Sequence, residues 1–150
     1  MAHAHTVTDS DKRFTIKPID RTIINLSGKT VLMQGDHNSE RFTFEVPRYI
    51  DGHDMSECNK IEIHYVNGSS SGVYEVTDMQ VDSGDETLII FSWLISWRCT
   101  QNTGPLNFGI RFKCLTGDVV DYAWSTAIYS GITISSWINN ADIQSDTYAD

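Results

Sequence analysis

The chain has 150 residues, 40% of them hydrophobic, and its 20 acidic against 11 basic side chains give a formal net charge of −9. That length is enough for one domain to bury a core without metal or disulfide staples. The basic residues are scattered and form no stripe to neutralise phosphates or an anionic bilayer, which excludes nucleic acid and membrane insertion as partners.

Residues 1–12 are small and polar, cannot bury enough surface to order alone, and read as a flexible N-terminal arm. They lack the apolar run of a signal peptide, so assembly in a cytoplasm is expected. His3 and His5 could take up a metal adventitiously, which says nothing of function. Cys58, Cys99 and Cys114 are then expected to be reduced, small apolar fillers.

Strand patterning starts at Arg13, with predicted strands over residues 14–18 and 22–26 separated by the break at Pro18. A turn over 27–29, a short apolar run over 31–33 and a polar loop over 34–40 follow. Residues 41–46 alternate strictly, with Phe42, Phe44 and Val46 sharing one face. Pro47 cannot donate to a ladder, so the strand ends there, and Asp51-Gly52 supplies a turn. The loop over 48–55 is expected to be exposed and too polar to pack by burial, held instead by Arg48 reaching Asp51 and Asp54.

Residues 60–66 alternate again, with Ile61, Ile63 and Tyr65 on one face and Glu62 and His64 on the other. The Gly- and Ser-rich turn over 67–72 leads into 73–76 as a hairpin, and 82–86 form a second turn. The run 88–95 is apolar on both faces and reads as a central strand. Residues 106–114 and 119–128 form a long amphipathic hairpin, and from Trp137 the chain turns acidic.

No segment carries apolar residues at helical spacing for three turns, so the expected fold is all-β: an antiparallel β-sandwich of about eight to nine strands with extended terminal arms. The domain spans residues 13–136, flanked by the arm over 1–12 and an acidic tail over 137–150. Parity puts Phe42, Phe44, Ile61, Ile63, Phe91, Trp93, Phe108, Ile110, Phe112 and Trp124 in the core.

Signatures of a placed nucleophile, a metalloprotease helix or a phosphate-binding loop are missing from the sequence, so no enzyme and no cofactor are expected. Cys58 lies near His53 and His64 in sequence, yet as a loop cysteine it reads as filler rather than nucleophile. Asp51, His53 and Asp54, like Asp82, Asp85 and Glu86, lack the count and spacing of metal ligands and read as solvated turns. Of the four tryptophans, Trp93 and Trp124 fall on core positions, which leaves Trp97 and Trp137 as a platform for a host glycan.

The ordered set of residues 42–48, 51–56, 61–65, 72–74, 91–95, 104–108 and 124–126 resembles the amino-terminal domain of phage upper baseplate proteins. This is a β-sandwich module of tail, baseplate and fibre proteins in phages of Gram-positive bacteria, and the likeness runs from about Arg21 to Ile134. It implies a non-enzymatic virion structural protein, an adaptor or mount in the tail, baseplate or fibre apparatus or a head decoration protein. Its partners would be other virion proteins and copies of itself; the alternative is a carbohydrate-binding module. Arg48, Tyr49, Asp51, His53, Asp54, Trp137 and Ile138 are the expected interface residues.

Overall fold

A computed structural model describes residues 12–138. The predicted arm over 1–11 and the tail over 139–150 lie outside the described residues, and Lys12, counted above with the arm, already pairs with Phe42.

The described chain is all-β, with thirteen strands. In order these are β1 (Lys12–Lys17), β2 (Thr22–Asn25), β3 (Thr30–Met33), β4 (Arg41–Pro47), β5 (Tyr49–Ile50), β6 (His53–Asp54) and β7 (Lys60–Asn67). Then come β8 (Ser70–Glu75), β9 (Gln80–Val81), β10 (Leu88–Leu94), β11 (Gly104–Thr116), β12 (Val119–Ser125) and β13 (Tyr129–Ser135). Two single 3-10 turns, Met55–Glu57 and Trp97–Cys99, are the helical pieces among the described residues.

One sheet runs β2-β1-β4-β10-β9 and the other β3-β13-β11-β7-β8, with β12 also on β11. The strand β11 organises the second sheet: one edge pairs with β7, and the other pairs first with β13 and then with β12. The expected count of eight to nine strands is exceeded by three two-residue strands too short to show an alternation and by β13, a seven-residue strand not among those predicted from the sequence. The sheets are also mixed rather than antiparallel, because β1 pairs parallel with β4 and β13 pairs parallel with β3. Alternation specifies which face a side chain takes and is blind to the direction of the neighbouring strand, so these parallel pairs left no mark in the pattern.

Rings from one sheet meet rings from the other in a single buried cluster. Phe108 of β11 lies 6.0 Å from Phe14, 6.2 Å from Phe42, 5.9 Å from Phe44 and 5.1 Å from Trp93, with the Phe14, Phe44 and Trp93 contacts edge-on. Edge-to-face packing sets the positive ring edge against the negative ring face and adds about 0.5–1.5 kcal/mol per pair beyond burial. All ten residues assigned to the core by parity are buried. Glu62 and His64 lie on the outer face of β7, where Glu62 accepts from Lys113 at 3.0 Å and pairs with His64 at 3.1 Å.

The strand predicted to run on to Ile128 instead ends at Ser125, and Ile128 is 64% exposed. The Thr126 hydroxyl accepts the Ile110 N–H, and the Ala127 N–H bonds the Arg21 carbonyl, which turns the chain aside before residue 128. Arg21 itself donates to the Ser125 carbonyl and lies 4.9 Å over the Trp124 ring, so the β1–β2 turn is fastened to the opposite sheet.

Removing the central ring tests this arrangement. Phe108→Ala is expected to lower unfolding stability by about 3–5 kcal/mol, read by chemical denaturation, while Val73→Ala on the exposed outer face shifts it by less than about 0.5 kcal/mol.

Candidate functional site

The segment after β4 is a two-residue hairpin, in which β5 and β6 pair Tyr49 with Asp54 and Ile50 with His53. Asp51 (φ 50°) and Gly52 (φ 81°) occupy its turn, both left-handed as a type I′ turn requires. The expectation of an exposed loop too polar to pack is corrected here, because Ile50 and Met55 are buried and anchor the hairpin on the core. A single apolar residue on either side of a polar turn is too sparse a signal to announce burial.

Charge then fixes what burial anchors. The Arg48 guanidinium forks onto Asp54, Nε to Oδ1 and Nη2 to Oδ2, each at 3.1 Å. Asp54 also caps the 3-10 turn, accepting the Ser56 N–H at 3.0 Å and the Ser56 hydroxyl at 2.7 Å. The hydrogen bonds from Arg48, and after them those from Ser56, hold the Asp54 carboxyl down to about 2. Of the two carboxylates expected to hold Arg48, Asp54 makes the pair, while Asp51 sits exposed at the turn. Arg48 also covers the Tyr49 ring at 5.2 Å, and Tyr49 is 56% exposed.

On the other side of the hairpin a cluster forms that sequence reasoning did not assemble. The His53 Nε2 lies 3.4 Å from the Cys114 Sγ, and the Cys114 Sγ lies 2.9 Å from the Cys58 Sγ. His53 stacks on Tyr122 at 3.7 Å with the rings 8° from parallel, and the Tyr122 hydroxyl points to the Met55 sulfur at 3.7 Å. The register of β11 against β12 shifts between Cys114 and Leu115, a bulge of the kind that re-aims a side chain. Asn59, in the loop before β7, bonds both the N–H and the carbonyl of Leu115 on β11.

Burial, and after it the contact with Cys114, pushes the Cys58 thiol up. A thiol kept protonated is a poor nucleophile, which favours the non-catalytic reading of this cysteine. His64, near Cys58 in sequence, is engaged with Glu62 on the outer face instead. Asp82 and Asp85 accept backbone N–H groups of Gly84 and Thr87 as ordinary turn residues. Among the described residues, the group that gathers metal-capable side chains is His53, Cys58 and Cys114. Of this trio the sequence points only to His53 as a metal-capable turn residue; the signal for the others, two cysteines 56 residues apart, needs the β7–β11 register to be read.

Trp97 is 49% exposed in the second 3-10 turn, with Arg98 lying 5.9 Å over its ring. Trp137 and Ile138, just beyond β13, are 67% and 42% exposed. The loop at Gln34 and Gly35 bridges the two segments, through Gln34 N–H to the Ser135 carbonyl and Gly35 N–H to the Thr100 carbonyl.

This architecture is similar to a known one. The N-terminal domain of phage TP901-1 ORF48 superposes with a TM-score of 0.55 at 14% identity, over 83% of this chain and 98% of that chain. No family model matches the sequence, and no curated protein matches it. At this identity the likeness shows a shared fold.

The Arg48–Asp54 pair has a pH signature. A carboxyl depressed from 3.8 to about 2 contributes stability that is complete above about pH 4 and is lost as the pH falls towards 2. Arg48→Ala is expected to flatten the acid limb of the stability profile over that window and to speed proteolysis within residues 49–56, with the domain still folded.

Proposed function

We propose that the protein is a non-enzymatic structural component of a bacteriophage virion, an adaptor or mount in the tail, baseplate or fibre apparatus or a head decoration protein. The observation that carries this reading is the match to nearly the whole of a phage protein's N-terminal domain, 98% of that chain. We read the two facing sheets as the sandwich of such a module, with partners among other virion proteins and copies of itself. The particle, assembled in the bacterial host cytoplasm, is its place of work.

The interface is drawn from side chains at the ends of the sheets. Arg48, Tyr49, Asp51, His53 and Asp54 form one patch, a short rigid hairpin with an exposed aromatic ring at its base. Trp137 and Ile138 form a second, exposed apolar pair next to β13. Exposed aromatic residues on a pre-ordered backbone suit protein contacts, since they supply large area at small entropic cost. A host glycan as ligand is supported by a different observation, the two exposed indoles of Trp97 and Trp137.

A mass-spectrometric inventory of purified particles tests the reading. The protein is expected there in fixed proportion to other virion proteins, and Tyr49→Ala and Trp137→Ala should each reduce its incorporation while leaving its unfolding curve unchanged. Absence from particles would overturn the proposal, and glycan-array binding abolished by Trp97→Ala would replace it with the sugar-binding alternative.

A further inference from the structure

Three donors converge from three separate segments: His53 from the hairpin β5–β6, Cys58 from the loop before β7, and Cys114 from the bulge of β11. Their donor atoms, one imidazole nitrogen and two sulfurs, all lie within 4.8 Å of one another. We propose that His53, Cys58 and Cys114 bind a divalent transition-metal ion of the zinc class, which staples the β5–β6 hairpin to the second sheet.

The donor set decides the class of ion. Two thiolates with an imidazole suit a borderline-soft cation such as Zn²⁺ and disfavour Mg²⁺ or Ca²⁺, which take oxygen ligands. The imidazole is oriented before any ion arrives, because its stack on Tyr122 aims Nε2 at the Cys114 sulfur. Tyr122 is itself the ladder partner of Cys114, so one cross-strand pair positions two of the three ligands. Tetrahedral geometry with Zn–S near 2.3 Å and Zn–N near 2.0 Å separates sulfur from nitrogen by about 3.6 Å and sulfur from sulfur by about 3.8 Å. The observed 3.4 Å between the His53 nitrogen and the Cys114 sulfur meets the first distance, and the Cys58 sulfur lies within 4.8 Å of that nitrogen. The 2.9 Å between sulfurs opens to the second by rotation of the part-exposed Cys114 side chain.

Binding converts both thiols to thiolates and releases their two protons to solvent, with no change of oxidation state. His53 and Cys114 are both part-exposed, so water completes the fourth position. A disulfide between the two cysteines would be the competing chemistry. It requires an oxidant such as a peroxide and leaves the aimed histidine without a role, which is why the trio is read as a metal site.

The experiment uses the full chain, reduced and metal-free, titrated anaerobically with Co²⁺. One equivalent is expected to produce thiolate-to-cobalt charge-transfer absorption together with the intense visible bands of a tetrahedral site, and Zn²⁺ should displace it and raise Tm. Cys58→Ser and Cys114→Ser each cut the charge-transfer absorption by about half or more, the double variant abolishes it, and His53→Ala weakens Co²⁺ binding by at least about tenfold. His64→Ala and the double variant His3→Ala/His5→Ala leave the titration unchanged. The part-exposed His53 variant and circular dichroism guard against loss of fold in the cysteine variants. Charge-transfer absorption that is missing at one equivalent, that is undiminished in Cys114→Ser, or that survives the double variant Cys58→Ser/Cys114→Ser would overturn the proposal. So would loss of both free thiols to peroxide, restored by reductant, in a protein that takes up no Co²⁺.

Discussion

The packing of one ring, Phe108, is the constraint on which the two sheets depend. It belongs to β11, the central strand of its sheet, and its ring touches Phe14, Phe42, Phe44 and Trp93 of the other sheet. Because these four come from β1, β4 and β10, the ring fixes three strands of one sheet against the centre of the other. The next residue, Gly109, faces the opposite side of the sheet, where a Cβ would meet the Ile128 Cδ1 at 2.9 Å. A core interlocked in this way is rigid, and it lets short segments at the sheet ends hold fixed positions without long loops of their own.

How far the sequence could be read follows from the range of the interaction that settles each feature. The faces of β4, β7, β10 and β11 were legible because alternation is local, and Phe42, Ile61, Phe91 and Phe112 all fall where parity puts them. The turn at Asp51-Gly52 was legible for the same reason, since its two left-handed residues are a local demand. The parallel pairing of β13 with β3 was not, because nothing within either strand encodes the direction of a partner roughly a hundred residues away. Arg48 reaching Asp54 was expected from proximity, but the burial of Ile50 depends on a surface assembled elsewhere. The sulfur and imidazole cluster was the least legible feature, for it requires the β7–β11 register, the bulge at Cys114 and the hairpin together.

Asn67 and Ser92, two polar residues drawn into the interior, are satisfied in the same long-range fashion. Asn67 is fully buried; its amide donates to the carbonyls of Asn102 and Pro105, and its oxygen accepts the Asn102 N–H. Asn102 returns a bond to the Asn67 carbonyl, which locks the end of β7 to the entry of β11. An asparagine so enclosed is unavailable for glycosylation, so the Asn67-Gly68-Ser69 sequon is a structural clamp that happens to spell a modification signal. Ser92 is treated similarly, its N–H bonded to Asp78 and its hydroxyl accepting from Arg41. Both cases avoid the cost of about 1–3 kcal/mol for a buried polar group left without a partner.

The hairpin β5–β6 concentrates these themes in six residues. Successive residues of a strand point to opposite sides, so His53 and its neighbour Asp54 cannot serve the same partner. His53 turns to Tyr122 and Cys114, while Asp54 turns to Arg48 and Ser56. A single strand of two residues thereby joins an ion pair on one side to a sulfur cluster on the other. Its register is what keeps both, because a slip by one residue would exchange the two side chains and present a carboxylate to the sulfurs and an imidazole to the guanidinium. The I′ turn at Asp51-Gly52 is the device that prevents the slip, since a two-residue loop admits one register and a longer one admits several. The two left-handed residues at the tip are therefore what hold the charge pair and the cluster in place, although neither touches the Arg48 guanidinium or the two sulfurs.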